Sequence, residues 1–162
     1  MNSPVTELQD VHTLPALLAT RARLTPNAEA YRQCDAHGDW KSLTWREAET
    51  EIARYSRALA ETGLPEKAHV AILLPNGLNA MCIDQAVMAT GCVPVPLHAI
   101  DNPGSIAYIL NDAEVALLVL TDSKQWQNIA DVCEDFPICA GSSLPKARRC
   151  PPPVTNARTR FP

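Results

Sequence analysis

Few residues of this sequence have the type and spacing for chemistry, and most gather at two loops. Pro75-Asn76-Gly77 runs into an apolar segment that reads as a helix, so its amides could hold an anion. The loop has one glycine, and neither a Gly-x-Gly-x-x-Gly nor a phosphate-loop pattern, so it is read as a structural turn. His98 and Asp101 could act as an acid–base pair. With no nucleophile partnered to it, His98 is read as a solvated loop residue. Asp84 stands alone on an apolar helix and is read as facing a packing gap or the solvent rather than as a catalyst. The cysteines (34, 82, 92, 133, 139 and 150) are irregularly spaced and form no Cys-x-x-Cys pair. A zinc site from Cys133, Cys139 and Cys150 matches no common ligand pattern, so the cysteines are read as reduced thiols. Trp40, Trp45 and Trp126 are not interleaved with basic residues, which argues against a base-stacking surface.

The elements that must position these residues follow from local signals. Thr13 can cap a helix running to about Leu24, with Leu14, Leu17, Leu18 and Arg21 on one stripe and Pro26 as its stop. Ala28 to Gln33 and Trp40 to Leu43 read as a hairpin closed by the turn residues Asp35 to Asp39. Thr44-Trp45-Arg46-Glu47 is a capping box, and Ala48, Ile52, Tyr55 and Leu59 form the buried stripe of the helix it starts. Gly63 and Pro65 end that helix. From His69 the pattern becomes strand, helix, strand, helix, strand, helix. The strands are His69 to Leu74, Cys92 to Leu97 and Val115 to Leu120. The helices are Asn79 to Thr90, one opened by Asn102-Pro103, and one from Ser123 carrying Trp126, Ile129, Ala130 and Cys133. Strands apolar on both faces belong to a parallel sheet covered by helices, so the fold class is α/β: a hairpin plus βαβαβα. Pro94 and Pro96 each lack an N–H, so their strand is expected at an edge or to end early.

The chain has 162 residues, 46% of them hydrophobic and 20% charged, enough for one soluble domain. The net charge of −4 argues against a dedicated nucleic-acid partner. That average hides a break. All 18 acidic residues lie at or before Asp135, with nine of the 14 Lys and Arg among them. The remaining five, Lys146, Arg148, Arg149, Arg158 and Arg160, follow Phe136 together with six of the 14 prolines. The reading is therefore a disordered leader over 1–12, a folded unit over 13–136 and a basic, disordered Pro/Arg/Cys-rich tail over 137–162. No signal-like or membrane-spanning run is present, and a cytoplasmic location is expected.

Four segments in order carry a resemblance: Thr13-Leu14-Pro15-Ala16-Leu17-Leu18, Leu43-Thr44-Trp45-Arg46-Glu47, Val70 to Gly77, and Pro94-Val95-Pro96-Leu97-His98 followed by Ile106 to Asp112. Together they resemble the amino end of AMP-forming acyl-CoA synthetases, the adenylate-forming ligases, over about residues 12–133, with the flavour of the long-chain fatty acid branch. The resemblance implies a partial amino-terminal subdomain of such a ligase. It also implies the family's two half-reactions. A carboxylate attacks the α-phosphate of ATP to give an acyl-adenylate and pyrophosphate, and the thiol of coenzyme A then displaces AMP.

The family uses ATP, Mg²⁺ and CoA and holds the triphosphate with a Ser/Thr/Gly-rich loop ending Pro-Lys-Gly. An aromatic-Gly-x-Thr-Glu segment, a ribose-binding aspartate and a catalytic lysine follow downstream. None is recognisable here, so no catalytic, cofactor-binding or metal residue is carried over. Gly141-Ser142-Ser143-Leu144-Pro145-Lys146-Ala147 looks like that loop with a glycine deleted. It is set aside because it has no clear strand before it and because Arg148 to Pro153 cannot continue as a helix. The expected protein is a truncated synthetase, inactive alone, whose tail is a frameshifted ending or a variable loop before a premature stop. The alternatives are a module pairing with a full-length synthetase, with another subunit or with itself through an exposed sheet edge, and a small independent α/β ligand-binding protein. Peripheral membrane contact stays open.

Overall fold

A computed structural model describes residues 11–35, 37–98, 100–121, 123–127, 129–130 and 138–140. Helix α1 (Leu14–Leu24) starts at Thr13, whose hydroxyl accepts from the Ala16 amide at 3.2 Å. Its buried residues are Leu18 and Ala22, one turn apart, while Leu14 is 57% and Leu17 39% exposed. The stripe expected from the sequence is thus only partly covered. α1 meets α2 and α3 along a single line, and four residues of stripe are wider than that line.

Strands β1 (Glu29–Cys34) and β2 (Trp40–Thr44) form the expected antiparallel hairpin. The Asp35 carboxylate closes its turn by accepting from the His37 and Asp39 amides at 2.9 and 3.1 Å. Those two bonds, with Lys41 beside them, hold the Asp35 carboxyl below its ordinary value. Helix α2 (Trp45–Ala60) follows at once. Its capping box is complete: the Thr44 hydroxyl accepts from the Glu47 amide, and the Glu47 carboxylate accepts from the Thr44 amide at 2.8 Å. Ala48, Ile52, Tyr55 and Leu59 are its buried residues, as the four-residue period requires.

The second sheet is parallel, in the order β4-β3-β5-β6. Its members are β3 (His69–Leu73), β4 (Val93–Pro96), β5 (Leu117–Leu120) and β6 (Ile138–Ala140), joined through α3 (Leu78–Ala89), α4 (Pro103–Asp112) and α5 (Ser123–Gln127). Alternate residues of β3 and β5 feed two separate cores. Val70, Ile72, Leu117 and Val119 pack with α1, α2 and α3, while Ala71, Leu73, Leu118 and Leu120 pack with α4 and the α5 region. Helices on both faces explain why these strands show no polar alternation.

Strand β4 is at the edge of the sheet and four residues long. Val93 donates to the Ala68 carbonyl at 2.9 Å and Leu97 to the Ile72 carbonyl at 3.0 Å. The two-residue period puts Val95 on that same side and turns the ring nitrogens of Pro94 and Pro96 to the open edge. The prolines therefore remove no ladder bond, contrary to the loss their presence suggested.

Two expectations change at the carboxyl end of the described chain. The helix at Ser123 ends at Gln127, with Ile129 donating to the Trp126 carbonyl in a tighter turn. Trp126 and Ile129 still reach the core, whereas Cys133 lies outside the described residues. Strand β6 was not expected. It pairs with β5, Leu118 opposite Ile138 and Leu120 opposite Ala140, inside the stretch that composition assigned to the tail. The leader over 1–10 and the tail from 141 lie outside the described residues. No described helix is long and apolar enough to cross a membrane.

Candidate functional site

All four strands of the parallel sheet point the same way, so the loops after β3 and β4 emerge at one end. The turn after β3 brings Asn76, and the segment after β4 brings His98. Helix α3, entered from that turn, carries Asp84 back over the same end. These three polar side chains line one crevice of about 210 Å³. Its floor is Ile72, Leu74, Pro96 and Leu97, and Ala80 and Met81 form the wall on α3. This is the place where open α/β sheets receive ligands. A larger groove of about 400 Å³ runs between α1, α2 and α3. It is mainly apolar, with Glu49, Ser56, Arg57 and Gln85 its polar lining, and it lies away from the strand ends. The crevice is the better candidate because topology delivers polar groups to it.

Asp84 is half-buried and has no hydrogen-bond or ion-pair partner among the described residues. Burial pushes its carboxyl above the ordinary carboxylate value. The gap expected beside it is this crevice. His98 is exposed at the mouth. His98 and Asp101 are joined through the backbone, the Asp101 amide donating to the His98 carbonyl at 3.1 Å, and no side-chain bond links them. Asp101 does not line the crevice, so the geometry does not assemble the acid–base pair.

The amino end of α3 holds a residue that sequence reasoning missed. Gly77 offers no side-chain cap, and the Gln33 carboxamide from the hairpin supplies one, its oxygen accepting from the Leu78 amide at 2.8 Å. A Cβ on Gly77 would lie 2.9 Å from that oxygen, so glycine permits the close approach. One of the amides that could have held an anion is thereby taken. No local signal could have revealed a cap placed 45 residues away in sequence.

The described residues do not form a triphosphate site. No described lysine or arginine lines the crevice, and the Asp84 carboxylate would repel phosphate. Among the described residues no group of three His, Cys, Asp or Glu could hold a metal ion. Of the three cysteines weighed for zinc, Cys133 and Cys150 lie outside the described residues, and only the backbone of Cys139 is described. β6 runs directly into Gly141 to Ala147, so the objection that no strand precedes that segment falls. The segment itself lies outside the described residues.

Comparison with known proteins fixes the family. The family model described as AMP-binding enzyme matches residues 18–148. The phosphinothricin tripeptide synthetase PhsB of Streptomyces viridochromogenes is 31% identical over 122 residues, which are 75% of this chain and 10% of that protein. The sulfoacetate–CoA ligase of Cupriavidus necator is 29% identical over 113 residues, 70% of this chain and 22% of that protein. The structure of VinN with 3-methylaspartate superposes with a TM-score of 0.71 at 24% identity, covering 80% of this chain and 34% of VinN. The fold is that of the amino-terminal subdomains of adenylate-forming enzymes. The chain thus spans between about a tenth and a third of the length of these proteins. On the match over residues 18–148, the chain belongs to the AMP-binding enzyme family of adenylate-forming synthetases and ligases.

Proposed function

We propose that this chain is the amino-terminal portion of an enzyme that activates a carboxylic acid by forming an acyl-adenylate, and that these 162 residues do not complete the reaction alone. The single observation carrying this reading is the family match over 18–148, laid on a sheet whose strand ends open a crevice. Attack of a carboxylate on the α-phosphate of ATP develops charge on phosphoryl oxygens, which needs positioned amides, hydroxyls and a cation. The described residues supply the scaffold of one wall and no such donor set. When Mg²⁺ is bound it would neutralise that charge.

The acid is less defined. The sequence flavour favours a long-chain fatty acid, while the relatives carry names of a peptide synthetase and a sulfoacetate ligase. Carboxylate-dependent exchange between ATP and pyrophosphate tests both points. Palmitate, aspartate and sulfoacetate are offered in turn to the purified chain. The expected result is no exchange above the protein-free rate. Clear exchange with any acid would overturn the claim of inactivity and name the substrate.

A second reading, an interaction module, is favoured by one observation. Among the described residues nothing pairs with the outer edge of β6, whereas the β4 edge has no donor at Pro94 or Pro96. Such a module would join another synthetase chain through β6. Sedimentation of the chain with and without a full-length adenylate-forming enzyme measures this directly, a single unshifted boundary counting against it.

A further inference from the structure

We propose that the crevice at the carboxyl ends of β3 and β4 is a binding site for an organic cation, an ammonium or guanidinium group seated against the Asp84 carboxylate. Among the described residues Asp84 is the only carboxylate lining the crevice, it is half-buried, and none of them pairs with it. A carboxylate left in that condition is stabilised by an opposite charge more than by any neutral ligand. Asn76 and His98 at the mouth can accept hydrogen bonds from the remaining N–H groups. Leu74 and Leu97 give the methylene stem of such a cation an apolar floor. The volume of about 210 Å³ fits one side-chain-sized group rather than a nucleotide. This does not rest on adenylate formation, so its failure would leave that reading standing.

The cation could be a free amine or a basic residue of this same chain. β6 is parallel to β3 and ends at Ala140 on the crevice side of the sheet. It lies two strands from β3, about 10 Å away. The six residues from Ala140 to Lys146 span at most about 20 Å. Lys146, Arg148 and Arg149 are therefore within reach.

The test uses the full chain, amide NMR spectra and three probes of one length: n-butylammonium, butyrate and butan-1-ol. n-Butylammonium is expected to shift the signals of Asn76, Asp84 and His98, and the other two are not. Asp84→Asn is expected to weaken that binding roughly tenfold or more, the loss of one charge-assisted hydrogen bond. The variant Lys146→Gln/Arg148→Gln/Arg149→Gln separates the sources. Tighter butylammonium binding in it than in the wild type assigns the site to the tail, and equal binding assigns it to a free amine. If neither protein distinguishes butylammonium from butan-1-ol, or if Asp84→Asn binds as well as wild type, the proposal is wrong. The comparison of three probes on the wild type stands even if a variant does not fold.

Discussion

The hairpin–α2 corner and the crevice treat polar residues in opposite ways. In the corner, Asp35, Thr44, Glu47, Glu51 and Arg54 each have a partner, and Gln33 reaches out to cap another helix. In the crevice, Asp84 has none among the described residues, and no bond joins the His98 side chain to any of them. Both regions sit on the same core. The difference teaches which polar groups hold the fold together and which are left for something else.

The largest effect should come where the crevice meets the core. Ile72 is 5% exposed and lies under the crevice as part of its floor. Ile72→Ala should cost about 2–5 kcal/mol in urea unfolding, like any large-to-small core change. A cost near zero would mean that the floor is not packed and that the two regions do not share a core. Removing a cap in the corner comes next. Thr44→Ala should cost about 1 kcal/mol by the same measurement, and Gln33→Ala about 0.5–1.5 kcal/mol, because the Leu78 amide loses its acceptor.

The contrast is sharpest in the sign of the pH response. Asp35 and Glu47 have lowered carboxyl pKa values. Their contribution is present above the unfolded value and is lost as pH falls through the folded one, below about pH 4. Asp84 is raised by burial. The folded state then holds its proton longer, so stability falls as pH rises from the unfolded value through the raised one. Asp84→Asn should therefore be more stable than wild type at neutral pH and lose that advantage in acid. An Asp84→Asn variant less stable at pH 7 would show that the carboxylate has a partner after all. The smallest effect belongs to the exposed Arg54–Glu51 pair at 2.8 Å. Arg54→Ala should change stability by less than about 0.5 kcal/mol, and salt should shrink even that.

Most of the fold was legible because its signals are local. The Thr44 box, the four-residue stripe of α2 and the apolar runs of β3 and β5 all lie within single elements. The edge position of β4 followed from two prolines, although the register showed that they cost no bond. What was not legible depends on long-range pairing. β6 is three residues, too short for a periodic signal, and it forms because β5 offers it an edge. Leu14 and Leu17 have the right spacing to be buried, but nothing described covers them. For the site, the loops carrying Asn76 and His98 were singled out in the sequence, although the first was read as a structural turn and His98 as a solvated loop residue. Asp84 was noticed but not joined to them, because no spacing rule says that the second turn of α3 overhangs the loop after β4.

Pro94 and Pro96 also limit how copies of this chain could assemble. A β6-to-β6 contact about a two-fold axis would make one continuous sheet with a β4 strand at each end. Both ends would lack donors at Pro94 and Pro96, so no third copy could be templated by strand pairing there. An assembly built through this sheet would therefore stop at two copies rather than extend as a fibre.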